Sequence, residues 1–335
     1  MKKRAVLLGV MLVFAMLIGC KSATKTAEKL LAEGKYTEAI TVLKEDGSEE
    51  AKAMLVTCVI EEAEKYADSG DYKQAIACLA EVEQTDETAA LSNKYTIQYA
   101  MQLADNDDYE NALLQLDTLE NTDEVNSLRK TYVEDYTKDL LKDEAYEEAK
   151  ALLESVSDVD YDEVLMRKCN LGILGTVIEE NGARGKDGKR FYCQIADGGT
   201  VYVENAGDET VVFGYEFENS VGGNDFRLYV DGSDEPYFEA VSELSFMLLG
   251  HAVNNTTSGY GTVDIATDSK YTLSMDNYVD GGSVTTSGNT TTILTEADFT
   301  DRFNDILSKV MSNVEKTWGQ YAPEITLSDL GFCVS

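Results

Sequence analysis

One phrase recurs four times between Ala23 and about Asp158, and it dictates the architecture of the first half of the chain. It reads Gly34-Lys35-Tyr36-Thr37-Glu38-Ala39-Ile40, then Gly70-Asp71-Tyr72-Lys73-Gln74-Ala75-Ile76, then Asp107-Asp108-Tyr109-Glu110-Asn111-Ala112-Leu113, then Glu144-Ala145-Tyr146-Glu147-Glu148-Ala149-Lys150. The tyrosines stand 36, 37 and 37 residues apart; Ala39, Ala75, Ala112 and Ala149 keep that period, as do Leu43, Leu79, Leu116 and Leu153. A fixed period of this length builds stacked supersecondary units, none of which buries its apolar face alone. Small residues recur upstream at Ala27, Ala63, Ala100 and Thr137, where two helices must approach closely. Each unit therefore reads as two antiparallel helices around a Gly/Asp/Asn turn. Because Tyr36, Tyr72, Tyr109 and Tyr146 and their paired alanines recur in every copy, they are expected to be scaffold, buried against the neighbouring unit.

These phrases resemble the tetratricopeptide repeat, whose second helix carries G-x-Y-x-x-A and whose first helix has a small residue seven positions before that glycine. The resemblance implies an all-α solenoid with a concave surface that takes up a peptide or helix from a partner. The pattern departs in its longer period, in the missing proline that usually closes each repeat (Glu87 and Glu124 stand near there), and in the loss of Gly from the last two copies. Some members of the family grip an acidic tail with Lys and Arg. Here first-helix positions include Glu61, Glu62, Glu64, Asp68, Glu134, Asp135 and Asp139, so that clamp does not carry over. A basic or apolar ligand suits such a face, but simple solvation of the acids is the preferred explanation.

Residues 1–19 open with Lys2-Lys3-Arg4 and continue with an apolar run from Ala5 to Ile18. The run is shorter than the roughly 20 residues a membrane-spanning helix needs, and reads as a removable export signal. Leu17-Ile18-Gly19-Cys20 resembles the lipobox of bacterial lipoproteins. That resemblance implies cleavage before Cys20, lipidation of its thiol with palmitate among the acyl chains, and tethering to the extracytoplasmic face of the cell membrane. An ordinary secretory signal is the alternative. Residues 20–25 then form a tether of only about 20 Å, which starts the array near the bilayer and sends the second half outward.

The formal charge of −34 makes nucleic acid an improbable partner, because binding it depends on Lys and Arg displacing counterions. Beyond Cys20 there are Cys58, Cys78, Cys169, Cys193 and Cys333, without the C-x-x-C spacing of a zinc or redox site. Buried free thiols are expected; any bridge would join members of the set Cys169, Cys193 and Cys333. The sole histidine, His251, offers no second imidazole for a metal, and no metal or cofactor is expected.

The array is expected to span 26–171, capped by a helix over Tyr161 to Leu171, with residues 172–335 forming an α+β domain. Val211, Phe213, Tyr215 and Phe217 alternate with Val212, Gly214, Glu216 and Glu218, the period of a half-buried strand. Phe226, Leu228 and Val230 continue it after a hairpin loop at 219–225. Further strands are predicted at 191–195, 200–204, 261–266, 271–277, 283–286 and 290–294. A helix is predicted from Asp234 and Pro236 to about Gly250, through Phe238, Val241, Leu244 and Leu248. A C-terminal amphipathic helix follows a capping box at Thr295 and Asp298, with Phe299, Phe303, Ile306, Val310, Val314, Trp318 and Tyr321 on one stripe. Helices packed on one face of an antiparallel sheet give the α+β class.

No residue set reaches catalytic strength. Glu216, Glu218 and Arg227 offer paired carboxylates with a cationic orienter, as sugar hydrolysis needs, or ordinary cross-strand pairing. Asp225, Asp231, Asp234 and Glu235 offer oxygen ligands for Ca²⁺ without the spacing of a helix-loop-helix site, or loop caps. Tyr192, Tyr202 and Tyr229 point to the outer sheet face, as a platform for sugar or peptide or as plain strand formers. His251 suits a helix C-terminus. The expected function is a non-enzymatic, lipid-anchored protein- or peptide-binding scaffold; the alternatives are a cell-envelope hydrolase with its site in the second half and a carbohydrate- or solute-binding lipoprotein.

Overall fold

The computed structural model describes residues 23–156, 158–185, 188–195, 199–217, 225–233, 237–240, 259–263, 271–274, 283–286, 289–292, 308 and 310–332. They belong to two compact units, Met1–Tyr132 and Val133–Ser335. The first is a helical array and the second joins further helices to an antiparallel sheet.

Helices alternate through the array as the repeat demands: α1 (23–32), α2 (Tyr36–Asp46), α3 (Glu49–Asp68), α4 (Tyr72–Leu79), α5 (Asp86–Ala104), α6 (Tyr109–Leu116) and α7 (Asp123–Lys142), within which the two units divide. Start signals are local. Ser48 accepts a hydrogen bond from the Ala51 amide, and Thr85 and Thr88 cap each other's amides at the start of α5. Asp71 and Asp108 each accept from the amide three residues on. Such caps stabilise a helix start by about 1 kcal/mol each.

The turn between paired helices is one structure used four times. Lys35, Asp71, Asp108 and Ala145 donate their amides to the carbonyls of Leu30, Tyr66, Leu103 and Leu140 at 2.8, 2.9, 3.0 and 2.9 Å. This six-to-one bond closes a helix whose last residue turns left-handed. The left-handed residue is Gly34, Gly70, Asp107 or Glu144, with φ of 74°, 80°, 59° and 58°. Loss of glycine from the last two copies has therefore not changed the backbone.

Ala39, Ala75, Ala112, Ala149, Ala27, Ala63, Ala100 and Thr137 are all at 0% exposure, so helices meet at these small side chains. The repeat tyrosines, expected to be buried, are only half-buried. Their rings meet the next first helix: Tyr36 sits beneath the Lys65 ammonium, 3.9 Å from the ring centroid, Tyr109 lies 6.3 Å from Tyr132, and Tyr146 lies against Gly172. Two apolar clusters fill the first unit, one built around Ala39, Leu43, Val59 and Leu79, the other around Ala100, Ala112, Leu116 and Tyr132.

In the second unit, α8 (Tyr146–Ser155) packs on α9 (Glu163–Asn181). The cap expected to stop near Leu171 runs on to Asn181, so the boundary placed at 171/172 falls inside a helix. The reason is a period the repeat phrase hid. Cys58, Tyr95, Tyr132 and Cys169 stand 37 residues apart, as do Val59, Thr96, Val133 and Asn170, and all eight are buried. Leu174 follows Ala63, Ala100 and Thr137 in the same phase. Helix α9 thus has the register of one more first helix, and it also packs against the sheet, which explains why it is apolar on nearly every side. Its two glycines permit both contacts: a Cβ on Gly172 would stand 2.2 Å from Tyr146 Cδ1, and one on Gly175 would stand 3.0 Å from Asn205 Oδ1.

The sheet is an antiparallel meander in chain order: β1 (Ala183–Arg184), β2 (Lys189–Gln194), β3 (Gly199–Gly207), β4 (Thr210–Phe217), β5 (Asp225–Val230), β6 (Tyr237–Ala240), β7 (Gly259–Val263) and β8 (Tyr271–Ser274). A separate hairpin pairs β9 (Ser283–Thr286) with β10 (Asn289–Thr292). The helix expected from Asp234 is contradicted at 237–240, where Tyr237-Phe238-Glu239-Ala240 is strand β6, paired with β5 on one side and β7 on the other. Two neighbouring ladders outweigh the local helical spacing of Phe238 and Val241. Residues 241–250, His251 included, lie outside the described residues.

Alternation places Phe191, Val201, Val203, Val211, Phe213, Tyr215, Leu228 and Val230 in one cluster with Leu171, Leu174 and Ile178 of α9. Residues 310–318 are helical and add Val310, Met311, Val314 and Trp318 to that cluster. Trp318 stacks on Phe213 at 5.9 Å and donates from Nε1 to the Ile325 carbonyl at 2.7 Å. Asn170 Nδ2 donates to the Asp329 carbonyl at 3.2 Å, tying the C-terminal segment to α9. The earlier part of the expected C-terminal helix, with Thr295, Asp298, Phe299, Phe303 and Ile306, lies outside the described residues.

Candidate functional site

Two recesses form where a second helix begins beside the first helix of the next hairpin. At the first hairpin one is lined by Gly34, Lys35, Tyr36, Thr37, Glu38, Glu62, Lys65, Tyr66 and Ser69, and encloses about 400 Å³. Three periods downstream the equivalent positions Glu144, Ala145, Tyr146, Glu147, Glu148, Ile173, Thr176, Val177 and Glu180 line a second recess, also of about 400 Å³. Both lie at the lower end of ligand-sized pockets.

Their chemistry differs. In the first, cations balance acids: Lys65 covers the Tyr36 ring and Thr37 Oγ1 donates to Glu62 at 2.7 Å. At the second hairpin Gln102 occupies the Lys65 position and donates from Nε2 to the Gly70 carbonyl at 3.0 Å, joining α5 to the turn before α4. At the fourth hairpin the position is Thr176, whose hydroxyl turns back to the Gly172 carbonyl of its own helix at 3.1 Å. Nothing basic lines that groove; Glu144, Glu147, Glu148 and Glu180 surround a floor of Tyr146, Ile173 and Val177. Burial, followed by the charges of Glu209 and Glu144, raises the Tyr146 phenol above its ordinary pKa. The ring lies against α9 at Gly172.

The outer face of the sheet holds a second cluster, unseen in the sequence. Register puts Arg190 opposite Glu204, Tyr192 opposite Tyr202, and Tyr202 opposite Gly214. Arg190 is 1% exposed; its Nε donates to Glu204 at 2.5 Å and its Nη1 to Glu216 at 2.7 Å. Its guanidinium carbon lies 4.0 Å from the centroid of the Tyr202 ring. Burial opposes the charge, but Tyr202, Glu204 and Glu216 together outweigh it and raise the guanidinium pKa. Glu216 is thus paired with Arg190, a residue absent from the expected Glu216, Glu218 and Arg227 set; Glu218 lies outside the described residues. With one carboxylate oxygen of each glutamate held by the same guanidinium, the cluster joins β2, β3 and β4.

Of the expected aromatic platform, Tyr202 is fully buried, Tyr192 is 39% exposed and Tyr229 is half-buried. Tyr202 is lost to the surface because its ring folds across Gly214 beneath Arg190. In the expected cation loop, Asp231 accepts from the amide and hydroxyl of Ser233 at 3.0 and 2.6 Å, a loop cap; Asp234 and Glu235 lie outside the described residues. Among the described residues no group of His, Cys, Asp and Glu is arranged to hold a metal ion. Cys58, Cys78 and Cys169 are buried free thiols and Cys193 is a half-buried one. Burial pushes the first three up to about 11, 12 and 12. Cys333, the lipobox residues Leu17, Ile18 and Gly19, and Cys20 lie outside the described residues. Among the described residues no helix is long and apolar enough to cross a membrane.

Comparison with protein-family models, with curated proteins and with solved structures finds no match to this chain.

Proposed function

We propose that this chain is a non-enzymatic lipoprotein of the bacterial cell envelope, tethered through Cys20 on the extracytoplasmic face, whose tetratricopeptide-like array binds a protein or peptide partner. The observation that carries the binding reading is the recess found at repeat-equivalent positions of the first and fourth hairpins, each large enough to seat a side chain or short segment of a partner. The acidic surface favours a basic or apolar partner over nucleic acid. The tether reading rests on Lys2-Lys3-Arg4, the apolar run and Leu17-Ile18-Gly19-Cys20.

Both parts are testable in one strain. Expressed in a bacterial host with an alkyne palmitate analogue, the full chain should take up label and fractionate with membranes, and Cys20→Ala should abolish both. Cross-linking of the anchored chain in intact cells should then capture a discrete envelope protein. Label retained by Cys20→Ala would sink the tether; absence of any captured protein would sink the binding reading.

A further inference from the structure

The groove of the fourth hairpin differs from its repeat equivalents at the positions that decide what it holds. The Lys35 and Lys65 of the first groove are replaced by Ala145 and Thr176, Glu62 by Ile173, and Ser69 by Glu180, so both cations are gone and the floor is more apolar. Lys65 and Gln102 reach across to the facing tyrosine or turn in the first and second hairpins, whereas Thr176 bonds its own helix. Helix stability does not account for the acids. Glu147 and Glu148 sit in the first turn of α8 and gain from its dipole, but Glu144 precedes that helix and Glu180 stands in the last turn of α9, where a negative charge is unfavourable.

We propose that this groove docks a cationic amphipathic peptide segment of the partner. An apolar side chain rests on Tyr146, Ile173 and Val177, and a neighbouring Lys or Arg is held among Glu144, Glu147, Glu148 and Glu180. The inference rests on the array being a binding module, and it names where and what that module binds. Charge complementarity selects the partner and speeds its arrival, while burial of the apolar side chain excludes acidic and purely polar peptides. The Tyr146 ring is seated against the backbone at Gly172, which limits the ordering that binding must add there.

The test uses residues 21–335 and, as probe, a short acetylated peptide with Leu and Lys at helical spacing, followed by calorimetric titration. Thr176→Lys, which restores the bridging cation of the first groove, should weaken binding at least about tenfold. Thr118→Lys, an exposed charge-matched control, should leave it within about twofold. Peptides with Glu for Lys, or Ser for Leu, should bind at least about tenfold more weakly. Should Thr176→Lys fail to fold by circular dichroism, Glu148→Gln with Glu180→Gln replaces it with the same expected loss. Equal losses in Thr176→Lys and Thr118→Lys, or a loss confined to Lys65 variants, would overturn the proposal while leaving the array a binder. An absence of peptide binding would also overturn it, and the separate cross-linking result decides the broader reading.

Discussion

The ring of Tyr146 is seated directly on the backbone of α9 at Gly172, so closely that a methyl group there would lie 2.2 Å from Tyr146 Cδ1. The contact fixes the fourth hairpin to the helix that also backs the sheet. Gly175, on the same helix, would place its Cβ 3.0 Å from the movable amide of Asn205. Gly172→Ala is therefore expected to destabilise by about 2 to 3 kcal/mol despite the better helix propensity of alanine. Gly175→Ala should stay within about 1 kcal/mol, because its neighbour is a side-chain end that can yield. Urea unfolding monitored by circular dichroism separates the two.

The shared turn makes a second prediction. Asp107 holds a φ of 59° where Gly34 and Gly70 stand in the earlier copies. Asp107→Gly should raise stability by about 0.5 to 1 kcal/mol by removing the left-handed penalty of a side chain, and Gly70→Ala should lower it by about 1 kcal/mol. A loss on Asp107→Gly in urea melts would mean that the turn is held by the aspartate and not by its backbone bonds.

Arg190 is held by Glu204 and Glu216 under almost complete burial. Arg190→Met leaves two carboxylates facing each other with no guanidinium between them, and should cost about 3 to 5 kcal/mol. The readout is Trp318, the chain's single tryptophan, which stacks on Phe213 of the same sheet. Its emission midpoint in urea should fall sharply in Arg190→Met, and a midpoint like that of the wild type would remove the cluster from the account of stability.

The buried thiols set a pH dependence. Cys58, Cys78 and Cys169 are raised from 9.0 to about 11, 12 and 12, chiefly by burial. The folded state holds these protons more tightly than the unfolded state does. Their contribution is thus fully present below pH 9.0 and is lost as pH rises through about 11 to 12. Replacing all three by Ala should flatten the alkaline limb of stability against pH. At neutral pH a disulfide reagent should reach Cys193 before any of the three, and early reaction of Cys169 would contradict its burial.

Much of the array was legible because its signals are local. The alanines, the turn and the small first-helix residues each declare themselves within one period, and α9 was readable too, through Cys58, Tyr95, Tyr132 and Cys169. Its glycines and its change of texture concealed that phase. The sheet was legible as alternation in β4 and β5. Strand β6 was not, because Tyr237 to Ala240 become a strand only through partners on either side. Arg190 was invisible for a related reason: its pairing with Glu204 and Glu216 follows from strand register, and no sequence spacing announces it. The repeat aligned the positions of the fourth groove, and the structure showed that Thr176 bonds its own helix there.

Hydrogen exchange of residues 21–335, read by mass spectrometry with and without the Leu and Lys peptide, locates the docking groove on the chain. Slowed exchange is expected only in the turn at 144–148 and the helical segment 173–180 that line the fourth groove. Protection centred on 34–38 and 62–69, on the outer sheet face around Tyr192, or spread evenly over the acidic surface would contradict it.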